Sequence, residues 1–68
     1  MKPVSGRQMC KILEAKGWTF SRINGSHHVF KRPGQRIAIS VPVHRNEDLK
    51  PGTQRDIMRQ GGLTEADL

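Results

Sequence analysis

The sequence has no tyrosine, a single cysteine and, through its first 46 residues, one acidic side chain, Glu14. Each scarcity excludes something. One thiol, Cys10, cannot close an internal disulfide, so nothing ties the chain to an oxidising compartment. No apolar run extends beyond a few positions, so no transmembrane span is expected. The opening Met1-Lys2-Pro3-Val4-Ser5 lacks the apolar stretch of a secretory signal. The expected location is the cytoplasm, with no membrane partner. Trp18, Phe20 and Phe30 are the whole aromatic inventory. Sheet surfaces that read single strands display several rings for base stacking. A chain that needs most of its rings for a core points instead to backbone contact with loose sequence preference.

What is present fits a thin domain. The chain has 68 residues, of which 34% are apolar, so residues 1–68 form one domain with a shallow core. There is little room for a buried cofactor, and none is expected. The net charge is +6, and its distribution matters more than its size. Residues 1–46 carry nine Lys or Arg against Glu14, a balance of +8, whereas residues 47–68 carry three bases and five acids, a balance of −2. Such a field draws a polyanion to the first two-thirds of the chain. No helix pattern combines a strong apolar face with a basic one, which disfavours a membrane surface.

The element order reads helix, three strands, helix. Ser5-Gly6-Arg7-Gln8 fits a capping box, Met9, Ile12 and Leu13 make an apolar stripe, and Gly17 ends the helix. Arg7 and Lys11 form its outward basic edge. Trp18–Ile23 reads as a strand with Trp18 and Phe20 on one face. Asn24-Gly25 marks a tight hairpin in which both residues tolerate positive φ. A second strand runs from about Ser26 to Lys31, and Arg32-Pro33-Gly34-Gln35 is a turn. The third strand is expected over residues 36–41, with Ile37, Ile39 and Val41 inward. A loop follows, then a helix from Pro51 with Ile57 and Met58 as its contacts and Gly61-Gly62 as its end. Thr64-Glu65-Ala66-Asp67 fits a further short turn. The expected fold is α+β: an α-β-β-β-α two-layer sandwich, with a three-stranded antiparallel sheet packed on two helices, in the element order of double-stranded-RNA-binding domains.

Chemistry concentrates at the hairpin Asn24-Gly25-Ser26-His27-His28-Val29-Phe30. Side chains alternate along a strand, so His27 and His28 point to opposite faces, one toward the core rim and one to solvent. Alternation alone does not say which. Imidazole has an unperturbed pKa of about 6.5 and donates or accepts protons near neutrality. Arg22, Lys31, Arg32 and Arg36 lie on the same sheet and suit a phosphodiester. RNA brings its own nucleophile, the 2′-hydroxyl, so cutting it needs only a base, an acid and cations. His44, just beyond the third strand, is a candidate proton partner or phosphate ligand. Adjacent histidines on a strand point apart, and neither Cys-x-x-Cys nor His-x-x-x-His occurs, so no metal site is expected. Cys10 reads as a small core residue.

The fragments Ser5-Gly6, Leu13 with Gly17-Trp18, Arg22, Gly25-Ser26-His27, Phe30, Val41-Pro42-x-His44, Leu49-x-Pro51-Gly52-Thr53, Ile57 and Gly62-Leu63 span nearly the whole chain. In this order and spacing the chain resembles the HicA toxins, messenger-RNA interferases of bacterial toxin–antitoxin pairs. The resemblance implies a fold like the double-stranded-RNA-binding domain. It implies that the catalytic histidine is the one after Gly-Ser, here His27, acting without metal. It also implies a HicB-type antitoxin partner that covers this histidine. Phe30 stands where some relatives have tyrosine, and fills the same space. The expectation is an endoribonuclease toxin, monomeric when free. His27 is its catalytic residue, and Arg22, Ser26, His28, Lys31, Arg32, Arg36 and His44 meet RNA. The alternatives are a non-catalytic double-stranded-RNA-binding module of the same fold, and a basic face that docks an acidic protein.

Overall fold

A computed structural model describes residues 1–68. Helix α1 spans Gly6–Ala15, strands β1, β2 and β3 span Thr19–Asn24, His27–Lys31 and Ile39–Pro42, and helix α2 spans Pro51–Gly61. A 3-10 turn over Glu65–Asp67 follows, opened by Thr64 N–H donating to Asp67 Oδ2 at 2.7 Å. The strands form one antiparallel sheet in the order β1-β2-β3. This is the α-β-β-β-α order read from the sequence.

Helix α1 begins as its capping box requires. Gln8 N–H donates to Ser5 Oγ at 3.1 Å, and Ser5 N–H donates to Gln8 Oε1 at 2.8 Å. Its end is closed by Trp18 N–H donating to Leu13 O and Gly17 N–H to Glu14 O, with Gly17 at φ +96°. That closure is the Schellman arrangement, which satisfies carbonyls the helix would otherwise leave open. Helix α2 starts with Pro51 in its first turn and ends on Gly62 in the left-handed region.

The core lies between the helices and one sheet face. Met9, Leu13, Phe30, Ile39 and Val41 are almost wholly buried, joined by Trp18, Ile57 and Met58. Cys10 packs with them. Desolvation, with Glu14 nearby as the second cause, pushes its thiol up to about 11. The thiol therefore stays protonated at neutral pH, which leaves it a packing group rather than a nucleophile.

Three details differ from the sequence reading. The hairpin turn is Gly25-Ser26, because Asn24 pairs with His27, and only Gly25 has positive φ, at +64°. Glycine at the first central position suits a type II′ turn. The third strand begins at Ile39, and Ile37 is exposed. Continuing the β2–β3 ladder would set residues 36–38 against residues 31–33, where Pro33 has no N–H to donate and the Arg32 carbonyl already accepts from Gln35 N–H in the turn. Phe20 does share a face with Phe30, their ring centroids 6.0 Å apart, but it is 44% exposed. Both helices pack on β3, so Phe20, on the outer strand, lies at the margin of their cover.

Gln54 was not anticipated as a core residue. It is 1% exposed, its Oε1 accepts from Val4 N–H at 3.2 Å, and its Nε2 donates to Lys2 O at 2.7 Å. The side chain thus pins the N-terminal segment to α2. Gln54→Ala leaves a buried donor and acceptor without partners, and each such group costs about 1–3 kcal/mol. Thermal unfolding should show a loss of about 2 kcal/mol, with the folded-state circular dichroism spectrum unchanged.

Candidate nucleic-acid interface

Pairing across the sheet decides which histidine is available. His28 stands opposite Val41, and Phe30 opposite Ile39, so His28 shares the helix-covered face. It sits half-buried at the rim, edge-on to Phe20 at 5.9 Å. His27 stands opposite Pro42, on the face with Val29 and Ser40, and is exposed. The helix-free face therefore carries His27 next to the hairpin turn. Its Nδ1 lies 2.9 Å from Ser40 Oγ.

The basic residues divide by face. The β1–β2 ladder pairs Phe20 with Phe30 but Arg22 with Val29, so Ser21 is an extra residue in a bulge. A bulge advances the alternation by one step. Arg22 thereby joins the His27 face, where strict alternation from Phe20 would have put it on the opposite side. Lys31, two and four residues beyond Val29 and His27, also lies on this face. Val29 itself is 5% exposed although no helix covers it. It forms an apolar floor between Arg22 and Ser40. Arg32 is occupied elsewhere: its guanidinium donates to Lys16 O at 2.7 Å and lies 5.4 Å from the Trp18 ring centroid. Cation–π contact and a hydrogen bond at a helix end are structural tasks. Arg36 lies in the irregular segment before β3, exposed and outside the ladder.

The segment after β3 folds back along the hairpin. Val43 N–H donates to Ser26 O at 2.9 Å, and Leu49 N–H donates to Val4 O at 2.9 Å. Between these ties, Glu47 N–H donates to His44 O at 3.0 Å, and Arg45 takes the left-handed region at φ 53°. Held at both ends, this segment makes one wall of a cleft of about 400 Å³. His27, Ser40 and Pro42 form the sheet wall, and His44, Glu47, Asp48, Lys50 and Thr53 line the other side. Ser26 contributes its carbonyl to the tie rather than a side chain to the cleft. His27 and His44, 17 positions apart in the chain, thus open on one space. The cleft thus holds two imidazoles and the Lys50 ammonium group together with the carboxylates of Glu47 and Asp48.

Ser40, Lys50 and Thr53 were not anticipated here. Strand alternation puts Ser40 outward, but its meeting with His27 depends on the β2–β3 register, which the seven residues between those strands conceal. No three of the His, Cys, Asp and Glu side chains gather as a metal-holding group. No helix is long and apolar enough to cross a membrane.

A search among curated proteins returns no match. A family profile described as HicA toxin of bacterial toxin–antitoxin matches residues 6–63.

Proposed function

The chain belongs to the HicA toxin family of bacterial toxin–antitoxin systems, and from that premise we propose that it is an endoribonuclease in which His27 moves the protons. The observation that carries this reading is the position of His27: exposed, on the helix-free face, and opening on the cleft. The pairing that defines the family supplies an antitoxin. An antitoxin of the HicB type seated over the cleft would block it.

The reaction needs little machinery. The 2′-oxygen forms a bond to phosphorus, and the bond from phosphorus to the 5′-oxygen breaks. The 2′-hydroxyl gives its proton to a base, and the departing 5′-oxygen takes one from an acid. The products are a 2′,3′-cyclic phosphate and a 5′-hydroxyl, with no net proton change. His27 acts at one of these transfers through Nε2, the ring nitrogen that Ser40 leaves free. Arg22 and Lys31 share its face and suit the flanking phosphates, and His44 and Lys50 face the scissile phosphate from the opposite wall. Arg36, exposed before β3, suits a peripheral contact, whereas His28 reaches RNA only at the rim of the opposite face. Arg32 holds the end of α1 through Lys16 O and the Trp18 ring, which leaves it a structural part here.

The test uses a short RNA strand and the same strand with 2′-deoxyribose throughout. The RNA is expected to be cut to fragments ending in 2′,3′-cyclic phosphate, read by mass spectrometry, and the deoxy strand to remain whole. Binding without cleavage would favour the non-catalytic RNA-binding module. Fragments with 5′-phosphate ends would rule out attack by the 2′-oxygen.

A further inference from the structure

We propose that Ser40 is the positioning residue for His27, setting both the direction of its ring and the nitrogen that carries its resting proton. The inference rests on the ribonuclease reading for its meaning, but its key measurement does not require activity.

The contact is specific to one nitrogen. Ser40 Oγ lies 2.9 Å from His27 Nδ1. A hydroxyl oxygen accepts as well as donates, so either partner can supply the hydrogen. When the serine accepts, the proton of the neutral ring sits on Nδ1 and Nε2 is bare; when it donates, the proton sits on Nε2. The two catalytic duties open to Nε2 share one requirement. As a base, Nε2 must be bare, so the neutral ring must carry its proton on Nδ1. As an acid, the ring is doubly protonated, and after transfer the proton again remains on Nδ1. In every one of these forms Nδ1–H donates and Ser40 Oγ accepts. The serine therefore never has to release the ring while Nε2 gains or loses its proton.

The surroundings leave this task to Ser40. It is the one hydrogen-bonding partner of the His27 side chain, and that side chain is exposed. Without an anchor, an exposed imidazole at the start of a strand rotates between staggered positions. Ser40 stands opposite Val29 on β3, between rows that the ladder fixes, so its oxygen is held by backbone pairing rather than by a mobile loop. The hydroxyl is also uncharged. Glu47 and Asp48 already bring carboxylates to this cleft, and serine orients the ring without adding a third.

The experiment compares the full chain with Ser40→Ala and Ser40→Thr. The nitrogen-15 NMR shifts of His27, recorded with the ring neutral, are expected to show the Nδ1–H form in the wild type and in Ser40→Thr, and a move toward Nε2–H in Ser40→Ala. In RNA cleavage, Ser40→Ala should lower kcat about tenfold with little change in KM, and Ser40→Thr should recover most of that loss. Unchanged thermal unfolding would separate these effects from misfolding. A wild-type ring in the Nε2–H form, or one that Ser40→Ala does not alter, would overturn the proposal. If the NMR result holds but no variant, wild type included, cuts RNA, the ribonuclease reading fails and the positioning contact stands.

Discussion

Gly6→Ala is expected to cost about 3 kcal/mol, the upper part of the range for forcing atoms into a packed site, and so to lower the melting temperature by roughly 12–24 °C in a domain of this size. The reason is backbone, not side chain. A Cβ at Gly6 would run into the carbonyl oxygen of Pro42 and lie 3.1 Å from Val43 Cα. Neither neighbour is a flexible side-chain end that can swing aside. The start of α1 would have to lift from the exit of β3. Val43 is the residue whose N–H ties this exit to the hairpin turn, so the same shift would open the cleft beside His44. Gly52→Ala supplies the control. It lies in α2 with open space where a Cβ would sit, and alanine there improves helix propensity and stiffens the unfolded chain. Circular dichroism melts should show Gly52→Ala at or above the wild-type temperature and Gly6→Ala far below it. A Gly6→Ala melt at the wild-type temperature would show that the helix start and β3 are not pressed together.

Features encoded within a few residues were legible in advance. The capping box at Ser5 and Gln8, the Arg32–Gln35 turn and the Pro51 helix start each depend on neighbours along the chain, and each appears where the sequence puts it. Features set by pairing between distant segments were not. The bulge at Ser21 depends on how β1 settles against β2, and it decides the face on which Arg22 lies. The residues 36–38 alternate well enough for a strand, but Pro33 lacks an N–H and the Arg32 carbonyl is engaged by Gln35, so they have no partner. Gln54 reads as a surface residue until Lys2 and Val4, which it ties to α2, are placed beside it. The candidate site divides the same way. The Gly-Ser-His hairpin marks its sheet wall in the sequence. The opposite wall exists because Leu49 pairs with Val4 and Val43 with Ser26, contacts that no local pattern announces.

His27→Ala is expected to abolish RNA cleavage, and with it any growth arrest on induction. A positioned general acid or base contributes roughly 10²- to 10⁴-fold to rate, and loss of the ring removes that contribution whole. The fold should not suffer. The side chain is exposed and its one hydrogen-bond partner, Ser40, lies on the same open face. RNA binding should also survive, because Arg22, Lys31 and Lys50 are untouched and counterion release by such cations supplies most of the affinity for a phosphate backbone. His27→Gln keeps a polar side chain of similar reach but cannot shuttle a proton near neutral pH, so it should be as inactive as the alanine variant. Inactivity of both variants with binding retained would separate proton transfer from simple contact.

The most direct measurement is a cleavage time course on one RNA strand, run side by side with wild-type protein and His27→Ala, each purified to the same standard and shown folded by its thermal melt. The wild type should consume the strand while the variant stays at the level of the protein-free blank. Cleavage by the variant at the wild-type rate would contradict the assignment of proton transfer to this imidazole.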